Sequence, residues 1–310
     1  VTTVMTEAES AGLIDEELAL TAAREAFLAT RTGTAFPVVL GHTGANRFTV
    51  KSGTAGDLVG VKIGSYWPGN DEAGIPRHSS AIVLLDPGTG RLAAVVEAAA
   101  ANAYRTAAAD ALAVDTLARP DARTLTVVGT GHQALYEVRA VARVRPVRRV
   151  LVVGRRSDAA HAFAKDVTAQ TGLPAEPADA RTAIAEADVV VTATTATQPL
   201  FDADWVTPGT HVSAMGADRV GKQELPPALY GRSLLFCDLP EQSRAVGEFQ
   251  HATGAVLTPL AAVLAGAAEG RRSIEDITVF DSSGFALQDL TLAAALLRRR
   301  AAVAGQEAHR

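Results

Sequence analysis

An α/β protein built around a mainly parallel sheet, with a differently made sheet ahead of it, is what the sequence predicts, on three observations. Strand-like and helix-like segments alternate from about residue 124 onward. Between residues 47 and 86, three short β-branched runs follow one another with only turn residues between them. Helical patterns occupy residues 16–29, 97–118 and 287–302. The 310 residues are 48% hydrophobic and 20% charged, enough for two cores, and this excludes a disordered or fibrous chain.

The first helix is expected over Glu16–Ala29, where Leu20, Ala23 and Phe27 recur at i, i+3 and i+7 and share one face. Strands follow at residues 47–52, 58–64 and 80–86, bounded by Trp67-Pro-Gly-Asn70 and Asp86-Pro-Gly-Thr-Gly90, and their spacing suggests an antiparallel sheet. Residues 97–118 contain no Gly or Pro and are dominated by alanine, so they form a long helix that Arg119-Pro120-Asp121 closes. The rhythm then becomes strand 125–129, helix 133–143, strand 149–154, helix 158–172 and strand 187–193. Such alternation gives a parallel sheet covered on both faces. Residues 211–216 and 233–238 read as further strands of it, and a last helix runs over 287–302.

Composition narrows the function classes. The single cysteine, Cys237, makes neither an intramolecular disulfide nor a thiolate metal site and reads as core filling. The residues 1–9 carry acid where a secretory leader needs a basic region, and no apolar run reaches the roughly 18 residues of a membrane span, so a cytoplasmic, membrane-free protein is expected. A net charge of −5 argues against nucleic acid, and the arginine runs at 143–149 and 298–300 read as solvated surface. His42, His78, His132 and His211 are too scattered for a ligand set, so no metal is expected. Glu248 and Gln250 are assigned to a loop at an active-site rim.

The most specific signal is Gly129-Thr130-Gly131-His132-Gln133-Ala134, standing directly after a predicted strand and opening a predicted helix. Gly129 permits the tight turn, Gly131 lets backbone N–H groups approach a pyrophosphate, and Ala134 is small enough for the helix to pack on the strand. Gln133 belongs to the same turn. A Rossmann dinucleotide-binding domain is therefore expected. The second strand ends in Gly154-Arg155-Arg156-Ser157, where an NAD-preferring site would place a carboxylate on the ribose. Arginine plus hydroxyl instead suits a 2′-phosphate, so NADP(H) is expected to be preferred, with NAD(H) possible.

Six motifs in order carry a resemblance: Gly60-Val-Lys62-Ile-Gly-Ser-Tyr-Trp-Pro-Gly-Asn70, Leu84 to Arg91, Arg105-Thr-Ala-Ala-Ala109, the Gly129 turn, Gly209 to Leu225, and Phe280 to Asp289. Together they make the chain similar to the ornithine cyclodeaminase/μ-crystallin family over nearly its whole length. That resemblance implies a discontinuous α+β substrate and dimerisation domain, residues 1–118 joined by 287–310, beside a Rossmann domain over 119–286. It also implies a homodimer acting on a small amino or imino acid. By matching motifs, Lys62 and Arg105 resemble the pair that holds the substrate carboxylate, with Lys62 lining the reacting centre, and Asp218 resembles the catalytic acid or base. Thr192, Thr194, Gly216, Ser283 and Gly284 complete the cofactor set, and Phe280–Gly284 resembles a loop closing over the nicotinamide.

The residues themselves agree. Lys62 alternates with Val61 and Ile63, so its ammonium lies on the face opposite those apolar neighbours; as an alternative it is an ordinary edge-strand charge. Asp218 follows the end of a predicted parallel strand, where ligands of doubly wound sheets sit, or is a turn residue. The family's early arginine and its acidic residue before the lysine strand have no counterparts near Val38-Val39 and Thr49. Lys51, two residues from Thr49 and on the same strand face, supplies the missing positive charge. The expected activity is an NAD(P)-dependent oxidoreductase at a Cα–N bond. The alternatives are a cyclodeaminase releasing ammonia and closing a ring, and a non-enzymatic NADPH-binding protein like the crystallin.

Overall fold

The structure, a computed structural model, describes residues 2–307. In chain order its elements are β1 (Thr3–Met5), α1 (Glu7–Leu13), α2 (Glu16–Ala29), β2 (Thr34–Ala35), β3 (Val39–Thr43), β4 (Asn46–Ala55), β5 (Leu58–Tyr66), β6 (His78–Leu85), β7 (Leu92–Glu97) and α3 (Ala99–Leu117). There follow β8 (Thr124–Val128), α4 (His132–Val144), β9 (Arg149–Val153), α5 (Ser157–Thr171), β10 (Ala175–Pro177), α6 (Ala180–Ala185), β11 (Val189–Thr192), β12 (His211–Ala214), β13 (Leu234–Cys237), α7 (Pro240–Val246), β14 (Thr258–Pro259), α8 (Leu260–Leu264), β15 (Thr278–Asp281) and α9 (Ala286–Glu307). The chain divides into two units, one made of the residues up to Arg105 together with those from Phe285 on, the other of Thr106–Gly284. Among the described residues no helix is long and apolar enough to cross a membrane.

The first unit is a sheet of order β1-β7-β6-β5-β4-β2, with β3 also on β4, antiparallel except where β1 joins β7. Period-two alternation gives this sheet two faces. On one face run the rungs Lys51–Lys62–Ile82–Val96 and Gly53–Gly60–Leu84–Ala94, and α9 packs over β4, β5 and β6 with α2 alongside it. Leu18, Ala22, Ala26, Phe27, Leu287 and Leu290 are buried there, while Leu20, expected on the buried stripe of α2, is half-buried. Rungs such as Val50–Ile63–Ala81 form the other face. The sequence pattern starts the third helix at Glu97, but Glu97 pairs with Ala81 as the last residue of β7, and α3 begins at Ala99. Its free N–H groups find a remote acceptor: the Glu7 carboxylate takes Ala99 N at 2.7 Å and Ala100 N at 2.8 Å.

The units divide inside α3, ahead of the proline-marked helix end. From Thr106 onward the helix is tied to the second unit, because Arg145 donates to Val114 O at 2.8 Å and Arg271 to Leu117 O at 2.7 Å. That unit holds eight strands, all parallel, in the order β10-β9-β8-β11-β12-β15-β13-β14. Val127, Val150, Val189 to Val191, Val212 and Val279 are buried, as strands covered on both faces require. The direction of winding reverses between β8 and β11, and the C-terminal ends of the strands there are where such sheets bind ligands. The stretch Phe280–Gly284, expected as a loop, begins inside β15, which lies between β12 and β13; Phe280 pairs with Ser213 and Phe236 and is fully buried.

Candidate active site

In the first unit the chemistry gathers around Lys62. It lies on β5, which has β4 on one side and β6 on the other, so it is not an edge-strand charge, and it is 4% exposed. What brings a partner to it is the neighbouring rung of two facing glycines. A Cβ at Gly53 would stand 3.1 Å from a Leu287 methyl, and one at Gly60 would stand 2.9 Å from a Leu290 methyl, so the bare backbone lets α9 lie close on the sheet. Asp289 then reaches the lysine. Lys62 Nζ donates to Asp289 Oδ1 at 2.8 Å and to Asn102 Oδ1 at 2.5 Å. Arg105 Nε lies 3.3 Å from the same Asp289 oxygen, and its guanidinium donates to Asn102 Oδ1 at 2.9 Å and 3.2 Å and to Gln288 Oε1 at 3.3 Å.

Three cations thus act on one carboxylate. Burial works against the charge of Asp289, but Lys62, Arg105 and Lys51 outweigh it and hold the carboxyl below the usual carboxylate range. Lys62 goes the other way. Burial pulls its ammonium down to about 7; Asp289 opposes this, while Arg105 and Lys51 add to it. Lys51 stands directly opposite Lys62 in the β4–β5 register, so their stems share a face. Asp289 Oδ2 and Ser80 Oγ are buried and make no hydrogen bond among the described residues. A lysine near 7 beside an unfilled buried acceptor can exchange a proton and hold a carboxylate.

In the second unit, Gly129 follows β8 with φ +124°, and a Cβ there would stand 2.6 Å from Ala193 O, so only glycine makes this turn. Gly131 caps α4 with no side-chain hydrogen bond, nothing lies within 4 Å of where its Cβ would be, and Ala134 is fully buried on the strand. The uncapped N–H groups and the open backbone fit a pyrophosphate, and the residues of this edge fit a dinucleotide. Gln133 has its amide on Glu137 Oε1 at 2.8 Å. Arg155, Arg156 and Ser157 are exposed at the end of β9, where Arg156 is the N-cap of α5 and makes no capping bond of its own.

Glu224 organises the next two strand ends and was not singled out by the sequence pattern, although it lies within the Gly209–Leu225 motif. It is fully buried and accepts from Thr192 Oγ1 at 2.8 Å, Thr194 N at 2.7 Å, Thr194 Oγ1 at 2.6 Å and Gly216 N at 2.8 Å. Burial raises its carboxyl, and these four donors oppose the rise. Thr192, assigned to the cofactor set, is buried with its hydroxyl on Glu224. Ser283 Oγ and Gly284 O accept from Gln242 Nε2 at 2.7 Å and 2.6 Å, and Gly284 N donates to Asp238 at 2.7 Å. Asp218 lies exposed in the loop after β12, with Lys222 Nζ at 2.7 Å, and that ammonium also donates to Gly216 O at 2.6 Å.

Of the two residues assigned to a rim, Gln250 reaches the loop after β12 that carries Asp218, its amide donating to Arg219 O and Lys222 O at 3.2 Å each, while Glu248 lies behind Glu224. Glu248 is fully buried and accepts from Glu224 N, Leu225 N and Tyr230 Oη, and Gln250 accepts from Gly221 N. Among the expected site residues, Lys51, Lys62 and Arg105 come together in the first unit, and the Gly129 turn, the Arg155–Ser157 stretch, Thr194, Gly216 and Asp218 follow successive strand ends of the second. Asn102 and Asp289 join the first group without having been anticipated. The signal for Asn102 was its place one helical turn before Arg105; Asp289 gave none beyond closing the last motif.

Comparison with known proteins places these features in company. The model of the ornithine cyclodeaminase/mu-crystallin family matches residues 9–303. The iminosuccinate reductase of Paracoccus denitrificans is 39% identical over 307 residues, covering 95% of each chain. A crystal structure of that enzyme in complex with NAD+ superposes with a TM-score of 0.91, covering 96% of each chain at 37% identity. An archaeal alanine dehydrogenase dimer with bound NAD gives a TM-score of 0.90, covering 97% of this chain and 96% of that one at 31% identity. The L-lysine cyclodeaminase of Streptomyces rapamycinicus is 39% identical over 236 residues, covering 74% of this chain and 68% of its own.

Proposed function

Since the chain belongs to the ornithine cyclodeaminase/mu-crystallin family, we propose that it is a nicotinamide-dependent oxidoreductase acting at the Cα–N bond of a small imino or amino acid. The observation that carries this reading is Lys62, buried on β5 with its ammonium on Asp289 beside Arg105 and Lys51. A bound nicotinamide supplies or accepts the hydride at Cα. In the reductive direction one hydride and one proton turn C=N into CH–NH; the oxidative direction returns both.

The protein's part is to bind, orient and move the proton. Lys62 and Arg105 present N–H donors for the substrate carboxylate, and the buried acceptor Asp289 Oδ2 takes the N–H of the reacting nitrogen. Lys62, drawn to about 7, is the group that gives the nitrogen its proton or removes it. Asp218, held by Lys222, is the second proton carrier in this reading. The test is a panel of small 2-oxo acids with ammonia, and of amino acids, following reduced cofactor and ammonia together. Stoichiometric cofactor turnover is expected; ammonia release with no net cofactor change sinks the proposal in favour of a cyclodeaminase.

NADP(H) is the proposed preferred cofactor. Arg155 and Arg156 directly follow β9 ahead of the first carboxylate, Asp158 in the first turn of α5, and they are free of the burial that would keep them from a 2′-phosphate. Replacing both by alanine is expected to lower kcat/KM for NADPH by about 10–30-fold and to leave NADH within about threefold, measured by initial rates with each cofactor. An equal effect on the two would remove the assignment.

A homodimer is also proposed. The sheet face away from α9 carries Val4, Val39, Phe48 and Ile63, at 60%, 59%, 39% and 45% exposure, around the Val50–Ile63–Ala81 rung. An antiparallel sheet with one face on helices ordinarily turns a polar face to water, so an apolar one calls for a cover. Ile63→Glu is expected to turn a dimer into monomers by light scattering. A wild-type chain that is already monomeric at micromolar concentration would refute the dimer. A cytoplasmic setting belongs to the same reading, supported by a lone cysteine that is buried.

A further inference from the structure

The second unit also holds two buried acids that the proposed chemistry does not use. Asp110 on α3 and Glu137 on α4 are both fully buried. Glu137 and Ser213, the latter on β12, are the side chains that face the Asp110 carboxyl. Ser213 Oγ is engaged with His211 Nε2 at 3.0 Å, and neither oxygen of Asp110 accepts a hydrogen bond among the described residues. Glu137 is differently placed. Its Oε1 takes the amide of Gln133 at 2.8 Å, and Gln133 belongs to the first turn of α4, whose open N-terminal end fits a pyrophosphate.

Two buried carboxyl groups that face each other bond only through a proton, because an ionised pair has acceptors alone. The surroundings decide which of them holds it. Glu137 has a donor in Gln133, which favours its ionised form, whereas Asp110 has none; Asp110 therefore keeps the proton and donates it to Glu137. Burial pushes the Asp110 carboxyl up to about 6, with Ser213 and Glu137 opposing the rise. His211 stands behind Ser213, and burial, then Arg271 and Arg145, draw it down to about 3, so it stays neutral while Asp110 titrates.

We propose that Asp110 and Glu137 share one proton and are positioning residues for the cofactor, so that dinucleotide affinity is linked to protonation: tight while the pair holds the proton, weaker once both acids are ionised. This rests on the dinucleotide reading of the Gly129 turn. Two effects act in the same direction. With the proton in place, the Asp110 hydroxyl holds one oxygen of Glu137 and leaves the other for Gln133, which fixes the first turn of α4. When that O–H ionises and the proton passes to water, two like charges repel in a buried space, and one more negative charge acts on the anionic pyrophosphate. The Kd therefore rises with pH.

The experiment titrates NADH, which has no 2′-phosphate to ionise, into the wild type, Asp110→Asn and Glu137→Gln between pH 5.5 and 8, following cofactor fluorescence. In the wild type Kd is expected to rise about fivefold over that range, the size of one added charge acting through a medium of intermediate dielectric. Either amide keeps a donor and an acceptor between the two side chains at every pH, so both variants should stay within about twofold of the wild-type Kd at pH 5.5 and lose the slope. Calorimetry of wild-type binding near pH 6.5 in two buffers of different ionisation enthalpy should show uptake of part of a proton, a readout that needs no variant to fold. A flat wild-type Kd, no proton uptake, or a slope that survives in both amide variants, as an exposed group such as His132 would give, would each overturn the shared proton while leaving the dinucleotide site intact. Absence of NADH and NADPH binding at every pH would overturn the dinucleotide reading itself, and the proton linkage with it.

Discussion

Lys62→Met is expected to lower kcat/KM by about 10³-fold, the size associated with losing a positioned proton-transfer group, with reduced-cofactor binding kept within about threefold. The two readouts separate because Lys62 belongs to the first unit and the Gly129 turn to the second. The pH profile carries the sharper version of the same prediction. With its ammonium drawn to about 7 by burial, and with Arg105 and Lys51 adding to the pull against Asp289, Lys62 is charged below that pH and neutral above it. In the reductive direction the charged form is needed, both to hold the carboxylate and to give up the proton, so kcat/KM should fall as pH rises through about 7. In the oxidative direction the neutral form is the acceptor, and the same step should appear as a rise. Lys62→Arg keeps the charge at all accessible pH and has no proton to give, so the step should vanish from whatever activity survives. A wild-type profile flat between pH 6 and 8 in both directions would remove Lys62 from the proton path.

What could be read in advance follows from how local each feature is. The Gly129 turn was legible because strand, turn glycine and helix start are consecutive, and its positive φ is a property of those few residues. Lys51 was legible as sharing a face with Thr49, and Lys62 as opposing Val61 and Ile63, because alternation fixes faces within one strand; that Lys51 stands opposite Lys62 is set by the β4–β5 register, which alternation alone does not give. Asp289 was not legible. Its bond to Lys62 spans 227 residues, and the glycine rung that permits the approach has no signature apart from the helix it admits. The start of α3 failed for the same reason, since its acceptor, Glu7, lies more than ninety residues away. β15 was hidden differently. Four residues, Thr278–Asp281, run straight into Ser282-Ser283 and look like a loop, and only the neighbours β12 and β13, which pair with them on both sides, make them a strand.

Glu224→Ala is the second large effect expected, on stability and cofactor affinity together. The carboxylate takes four donors from the ends of β11 and β12, and removing it leaves Thr192 Oγ1, Thr194 N, Thr194 Oγ1 and Gly216 N facing an empty, buried site. At about 1–3 kcal/mol for each buried polar group left unsatisfied, and with water entering to replace part of the loss, a net destabilisation of about 3–5 kcal/mol is expected. For a unit of this size that corresponds to a fall in Tm of roughly 10 °C. Glu224 is itself held from behind, because Glu248 accepts Glu224 N and Leu225 N, so the loss also frees the backbone that carries it. The ends of β11 and β12 border the turn at Gly129, which closes against Ala193 O; their loosening should therefore raise the Kd of the reduced cofactor by at least about tenfold. Glu224→Gln keeps one acceptor oxygen but sets an amide N–H against the remaining donors, so it should fall between the wild type and the alanine variant on both measures. A Glu224→Ala protein with lowered Tm and unchanged cofactor Kd, measured by fluorescence titration below its melting point, would mean that Glu224 stabilises the sheet without shaping the dinucleotide edge. A parallel loss of both, graded through the glutamine variant, is what a brace for that edge requires.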